Sequence, residues 1–169
     1  MSHLSALRVK SSVGPDGLKS ETQRHRIGTI MAKAEHTVQA TLVALTQGDF
    51  VGVMEHFKDR FIFIDHAIEL EFTDKAQLID FLTLDRKLFP DSKRADKIIC
   101  SSGDLVVTEW ALTGTKREQY FGRMLQLPFH ARGVSIVQVD DGKVCRWSEY
   151  YDQTLSRRYS LAASFVQFD

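Results

Sequence analysis

A β-hairpin signature near the end of the sequence limits the folds that this chain can adopt. Two strand-like runs, 133–140 and 143–151, flank the dipeptide Asp141-Gly142. A two-residue hairpin loop with both residues at positive φ favours this dipeptide. We therefore predict two antiparallel strands joined by a tight turn, which commits this part of the chain to a sheet.

Alternation along the second strand places four residues on one face of the sheet: Cys145, Trp147, Glu149 and Tyr151. If the pairing is counted outward from the turn, Glu149 lies opposite Val134. Its carboxyl would then lie among large apolar side chains, where desolvation disfavours the charged form. A carboxyl held in this way is a candidate proton donor or base. A shift of one residue would instead turn Glu149 to solvent, because it exchanges the two faces of the strand.

The remaining elements follow from hydrophobic periodicity and from helix start and stop signals. Apolar residues spaced by three and four predict a long first helix that Gly48 ends. Asp49 is expected to cap the second helix, Thr73 and Asp74 to open the third, and Pro90 to end it. We predict helices 20–47, 50–58 and 74–89, strands 61–65 and 68–72 before the third helix, and strands 94–100, 105–114, 128–139 and 143–151 after it.

Three helices followed by a curved, mostly antiparallel sheet make an α+β fold. Helices on one face of a bent sheet leave a conical space, which favours one enclosed apolar pocket. A chain of 169 residues fits one domain. We expect this domain at 20–158, between a mobile N-terminal arm at 1–19 and a C-terminal tail at 159–169. Residues 115–127 are too apolar for a solvated connector, and we expect a loop or short helix that covers something.

Composition excludes several classes of partner. The net charge is zero and the hydrophobic content is 43%, so there is no electrostatic case for nucleic acid. No apolar run is long enough to span a bilayer, and no secretion signal is evident. We expect a cytoplasmic protein, a homodimer favoured by near-neutral charge, and buried free thiols at both cysteines.

The spacing of the histidines and cysteines predicts no metal site, and no phosphate-binding loop is present. No organic cofactor is implied. The charged runs Asp85-Arg86-Lys87 and Lys93-Arg94 are interpreted as solvated.

Two short motifs carry a resemblance: Glu55-His-Phe-Lys-Asp-Arg-Phe-Ile-Phe-Ile-Asp65 and the more specific Gly142-Lys-Val-Cys-Arg-Trp-Ser-Glu-Tyr-Tyr-Asp152. With the order of elements, they resemble the nuclear transport factor 2-like superfamily over roughly residues 34–158. Within it, they are most similar to SnoaL-like polyketide cyclases, limonene epoxide hydrolase and ketosteroid isomerase. This resemblance implies a cone-shaped, cystatin-like fold.

The resemblance implies catalytic roles for two carboxyl groups. Asp65 falls where ketosteroid isomerase keeps its proton-shuttling carboxylate. Glu149 falls on the last-strand aspartate that limonene epoxide hydrolase and many SnoaL-like enzymes use as acid or base. Asp65 is equally suited to capping the turn that follows its strand, which is the commonest role of an aspartate in that position.

Other positions depart from the patterns of these enzymes. Phe63 replaces a tyrosine of the epoxide hydrolase, and Trp110 and Leu112 replace its arginine and second aspartate. Val134 lies about where ketosteroid isomerase places its oxyanion-stabilising acid. We therefore expect no Asp–Arg–Asp arrangement, which makes epoxide hydrolysis by that mechanism doubtful.

Eight residues are expected to line the pocket and bind a hydrophobic small molecule. The two tryptophans would form an aromatic wall for a flat apolar ligand, and they are equally compatible with an ordinary core. Tyr151 is placed either to donate a hydrogen bond to a substrate oxygen or to pack in the core with its hydroxyl at the rim. The eight residues are Phe63, Trp110, Leu112, Val134, Trp147, Tyr151, His130 and Tyr120.

Two functions from different classes fit these observations. The first is a cofactor-free enzyme in which Glu149 and Asp65 divide the acid and base roles of an isomerisation, cyclisation, dehydration or hydration. The second is a non-catalytic module of the same fold that captures a ligand or dimerises. An open pocket lined by both carboxyls favours the first function, whereas a pocket filled by Trp110, Trp147 and Phe63 favours the second.

Overall fold

Three helices and six strands form in the computed structural model, which describes residues 21–152. They are α1 (Glu21–Gln47), α2 (Phe50–Glu55), β1 (Phe57–Asp65), β2 (Leu70–Phe72), α3 (Lys75–Leu88), β3 (Lys93–Ser102), β4 (Leu105–Tyr120), β5 (Arg123–Asp140) and β6 (Lys143–Tyr151). The expected arm at 1–19 and tail at 159–169 lie outside the described residues. Within 21–152, no helix has both the length and the hydropathy needed to cross a bilayer.

The strands form one six-stranded sheet in the order β2-β1-β6-β5-β4-β3. Strands β1 and β6 run parallel, and every other neighbouring pair is antiparallel. The parallel pair joins the first strand to the last, so the chain between them folds back through α3 and the other strands. The predicted α+β fold, with three helices on a mostly antiparallel sheet, is confirmed.

The helix boundaries follow the predicted stop and cap signals. Gly48 ends α1 at a φ of +76°, a conformation that glycine adopts without steric cost. The side chain of Asp49 accepts a hydrogen bond from the Gly52 amide, and that of Asp74 accepts one from the Gln77 amide. Helix α2 is shorter than predicted, because the chain enters strand β1 already at Phe57.

The hydrophobic core lies between α1 and the sheet. Ala34, Val38 and Leu42 are buried on one face of α1, as their spacing predicts. On the sheet side, the fully buried indole of Trp147 stacks on Phe57 with ring centroids 6.2 Å apart. The core therefore depends on β1 and β6 lying side by side.

The Asp141-Gly142 turn is confirmed, but the predicted register of its hairpin is wrong. Both turn residues have positive φ, 51° and 74°. A bulge then leaves Cys145 without a partner on β5, so Glu149 pairs with Ser135 instead of Val134. An extra residue in one strand shifts all later pairs by one position. Because of this bulge, Val144 is fully buried and the Cys145 thiol instead contacts a backbone carbonyl.

The prediction of a loop or short helix at 115–127 is also wrong. Strands β4 and β5 continue as a two-stranded ribbon through this region and turn at Phe121-Gly122. Both turn residues have positive φ, 44° and 76°, so this is a second tight hairpin. Of the apolar residues that suggested a cover, Met124 and Leu125 belong to β5 and Phe121 lies in the turn.

Cys100 is exposed, contrary to the expected burial of both thiols. It lies on the edge strand β3, next to a register irregularity between Ile98 and Cys100.

We predict that Gly142→Ala lowers the free energy of unfolding by about 1 kcal/mol, because alanine is strained at positive φ. The matched control is Gly28→Ala in α1, where an added methyl group meets no atom within 4 Å. That change should stabilise the protein slightly, since alanine favours helix. Urea unfolding of both variants measures the two effects, and equal shifts would contradict the prediction.

Candidate functional site

A cavity of about 470 Å³ lies between the helices and the inner face of the sheet. Most of its lining is aliphatic or aromatic, and the carboxyls of Asp65 and Glu149 are both part of it. Seven of the ten predicted site residues line this cavity: Phe63, Asp65, Trp110, Leu112, Trp147, Glu149 and Tyr151. The structure therefore brings the two candidate acid–base groups together at one apolar cavity.

Three predicted residues are not placed in the lining. Val134 and His130 pair with the exposed residues Glu109 and Thr113 of β4 and lie on the outer face of the sheet. Val134 does not meet Glu149 because the bulge in β6 shifts the pairing by one residue and places Ser135 opposite Glu149. Tyr120 lies at the end of β4, beside the ribbon turn, and its side chain is not among those described.

A row of polar residues crosses four strands of the sheet, and two of its members, Asp65 and Glu149, line the cavity. Asp65 pairs with Glu149 across β1 and β6, Glu149 with Ser135 across β6 and β5, and Ser135 with Thr108 across β5 and β4. All four residues are buried. Buried polar groups are costly unless they are hydrogen-bonded, so their partners decide what the row can do.

Three donors satisfy the Glu149 carboxylate. Its Oε1 atom accepts hydrogen bonds from Trp147 Nε1 at 2.7 Å and from Arg94 Nη2 at 3.3 Å, and its Oε2 atom accepts one from Ser135 Oγ at 3.0 Å. The predicted apolar surroundings of Glu149 are therefore wrong, although the residue is only 5% exposed. Its carboxylate is buried, paired with a cation and held in one orientation.

Arg94 is the most important site residue that sequence reasoning missed. Its side chain is 15% exposed and lines the cavity, so the interpretation of Lys93-Arg94 as a solvated pair is wrong for Arg94. The guanidinium contacts both oxygens of Asp96 through Nε, at 3.0 and 3.1 Å, and lies 4.5 Å from the centre of the Trp110 ring. Cation–π contact of this kind is worth about 0.5–2 kcal/mol.

An acid–arginine–acid arrangement is nevertheless present, built from positions other than Trp110 and Leu112. Its members are Asp96, Arg94 and Glu149, and the arginine comes from β3 instead of from the Trp110 position on β4. Burial by itself would lower the pKa of Arg94, but the carboxylates of Glu149 and Asp96 outweigh it and raise that pKa. The guanidinium stays charged.

The two oxygens of Asp65 have different hydrogen-bond partners. Oδ1 accepts hydrogen bonds from the amides of Ala67 and Ile68 and so caps the turn after β1. Oδ2 accepts a hydrogen bond from the Tyr151 hydroxyl at 3.1 Å. Burial raises the pKa of Asp65 above its ordinary value, against the opposing effect of these donors.

Burial also raises the pKa of Tyr151, and the neighbouring Asp65 carboxylate raises it further. The hydroxyl therefore stays protonated and acts as a donor to Asp65.

Helix α3 brings two further charged residues to the cavity. Asp85 and Arg86 line it, so the interpretation of this run as solvated is wrong for both. Burial raises the pKa of Asp85. Arg86 donates hydrogen bonds to the carbonyl oxygens of Leu45 and Thr46, which fixes α3 against the end of α1.

Residues 21–152 contain no group of three or more histidine, cysteine, aspartate or glutamate side chains arranged to hold a metal ion.

The comparisons with known proteins agree with this fold. The SnoaL-like domain family matches residues 38–147, about two thirds of the chain. A search of the curated proteins finds no match.

Three solved structures illustrate the likeness, each below 25% identity. A proposed SnoaL-like polyketide cyclase from Shewanella denitrificans is 14% identical with a TM-score of 0.68, over 76% of this chain and 97% of that one. AclR from Streptomyces galilaeus, a proposed hydroxylase, is 20% identical with a TM-score of 0.64, over 77% and 86%. A Catenulispora acidiphila protein with a ketosteroid isomerase-like fold, in complex with trimethylamine, is 17% identical with a TM-score of 0.63, over 73% and 91%.

These structures show a common fold, and the family match covers most of the described domain. The chain therefore belongs to the SnoaL-like domain family.

Proposed function

We propose that this chain is a cofactor-free enzyme that uses Asp65 to move a proton on a hydrophobic small molecule bound in the cavity. The observation that carries the proposal is the pair of carboxyls in unlike surroundings. Asp65 and Glu149 are neighbours on parallel strands, but Glu149 is paired with Arg94 and Asp65 is not. Two titratable groups in different environments are the usual basis for dividing acid and base roles.

Asp65 is the better candidate to exchange a proton with substrate. Its Oδ2 atom has a neutral hydroxyl as partner, and burial raises its pKa. A carboxylate with a raised pKa is a stronger base once it is ionised. Glu149, whose donors include the Arg94 cation, instead fixes Arg94 and Trp147 in place.

The lining of the cavity defines the ligand class. Aromatic side chains line the cavity together with the two carboxyls, including Phe63, Trp110 and Phe129. A volume of about 470 Å³ fits a small organic molecule. Isomerisation and aldol-type cyclisation both begin with removal of a proton beside a carbonyl group. The proposed cyclase activity of the Shewanella relative is consistent with such a step in this chain.

A non-catalytic ligand-binding module is the alternative. Filling of the cavity by Trp110, Trp147 and Phe63 would favour it, but the cavity is open and both carboxyls line it. The homodimer and the cytoplasmic location stay predictions from the sequence.

We predict that Asp65→Asn lowers proton exchange by about 100-fold or more, as expected when a general base is lost. The measurement is NMR detection of deuterium uptake from D₂O beside the carbonyl of 2-tetralone, a flat bicyclic ketone. Asp59→Asn is the matched control, since Asp59 lies on the same strand with a fully exposed side chain. Equal exchange rates in wild type and Asp65→Asn would contradict the role of Asp65.

The same variant should be more stable than the wild type at neutral pH. The pKa of Asp65 is raised in the folded state, so the folded protein prefers the protonated carboxyl. Ionisation of Asp65 therefore lowers the free energy of unfolding as the pH rises through that pKa. Asparagine has no charge to bury, so the advantage of Asp65→Asn should shrink as the pH falls towards 4. Urea unfolding at a series of pH values measures this, and an advantage that grows on acidification would contradict it.

The rate of proton exchange should fall at acidic pH as Asp65 becomes protonated. We expect Tyr151→Phe to move this fall to higher pH by about one unit. The Tyr151 hydroxyl donates to Asp65 and lowers its pKa, and a hydrogen bond to a charged group is worth about 1.5–3 kcal/mol. Removing it raises the pKa of the base further. Tyr150→Phe is the control, because Tyr150 is exposed and stacks on His66. A fall that moves to lower pH would show that Asp65 is not the titrating base.

A further inference from the structure

Some hydrogen-bond donors of Arg94 have no partner among residues 21–152. A guanidinium carries five N–H groups. The Nε donor contacts Asp96, and Nη2 contacts Ser135 at 3.2 Å and Glu149 at 3.3 Å. Within residues 21–152, the two Nη1 donors have no hydrogen-bond partner.

The orientation of the guanidinium is fixed before any ligand arrives. Trp110 lies beneath it, and Asp96 holds Nε with both oxygens. Trp110 in turn lies against Gly133, where an added Cβ would come within 2.3 Å of the indole. Because Gly133 has no side chain, the indole can lie close to β5 and support Arg94. Donors held in this way need no reorganisation to bind an acceptor.

The charges around Arg94 indicate what kind of acceptor fits. Asp96 and Glu149 already provide two carboxyls for one cation, so an anionic ligand would meet repulsion. Leu112 pairs with Arg94 across β3 and β4, Ala131 pairs with Leu112 across β4 and β5, and both are apolar and line the cavity. A neutral carbonyl oxygen on an apolar skeleton satisfies both conditions.

We propose that the Nη1 group of Arg94 binds the carbonyl oxygen of a neutral, largely apolar ketone in this cavity. A second role rests on the proposed function. When Asp65 takes a proton from the carbon beside the carbonyl, the C–H bond breaks and its electron pair moves towards the carbonyl oxygen as an enolate forms. The negative charge passes from Asp65 to that oxygen, where Arg94 stabilises it, so the net charge of the site does not change.

The test compares binding of 2-tetralone and tetralin, which share a bicyclic skeleton and differ in the carbonyl group. Isothermal titration calorimetry should show wild type binding 2-tetralone at least about tenfold more tightly, as expected for a hydrogen bond to a charged donor. In Arg94→Met this preference should reverse, because the carbonyl then loses water without gaining a donor. Tetralin affinity should be retained, which checks that the cavity is intact.

Arg146→Met is the matched control, since Arg146 is an exposed arginine on β6, and it should keep the wild-type preference. Equal binding of the two ligands by the wild type, or an unchanged preference in Arg94→Met, would overturn the proposal. So would failure of both ligands to bind at millimolar concentration, because the cavity is large enough for either.

Arg94→Met leaves two buried carboxyls without their cation and risks misfolding, so a measurement on the wild type completes the test. Infrared difference spectra of ¹³C-carbonyl 2-tetralone should show the bound C=O stretch below its value in hexane. A hexane-like frequency would overturn the proposal. Neither readout requires turnover: a shifted carbonyl without proton exchange would reject the Asp65 mechanism alone, and exchange without the shift would reject the Arg94 site alone.

Discussion

The parallel pairing of β1 with β6 is the interaction on which the core and the candidate site both depend. It places Asp65 beside Glu149, and two residues earlier on the same strands it places Phe63 beside Trp147. Strands β2 to β5 all lie between β1 and β6 in the sequence. Pairing β1 with β6 therefore closes a long loop, which costs conformational entropy. The apolar contacts of Trp147 offset that cost, and the two carboxyls are brought together by the same strand pairing that completes the core.

The sequence predicted the parts of this fold that local chemistry controls. Asp-Gly at a hairpin turn, glycine after a helix and aspartate before one each act within a few residues, and all were confirmed. The bulge at Cys145 was missed because an extra residue in a strand has no composition signal when both neighbours are compatible with a sheet. One unpaired residue then decided whether Val134 or Ser135 meets Glu149.

Arg94 was missed for a different reason. Its run, Lys93-Arg94-Ala95-Asp96-Lys97, is polar and reads as solvated, yet strand alternation puts Arg94 and Asp96 on one face and both lysines on the other. Opposite charges two residues apart on a strand are a usable signal for an inward ion pair. No local pattern shows that Glu149, 55 positions after Arg94, is the second carboxylate that contacts this arginine. Such a partner depends on the order of strands in the sheet.

The cost of this arrangement favours a functional explanation. A buried ion pair is often no more stabilising than apolar residues of similar size, and here burial works against the ionised forms of Asp65, Asp85 and Asp96. A domain that only needed a core could fill the space beside Trp147 with aliphatic side chains. The chain instead keeps an open cavity and places at its wall a fixed cation and the Asp65 carboxyl, which has hydrogen-bond donors but no ion pair within residues 21–152. Under the proposed function this cost has a use, because Asp65 and Arg94 are the two groups that a bound carbonyl compound would contact.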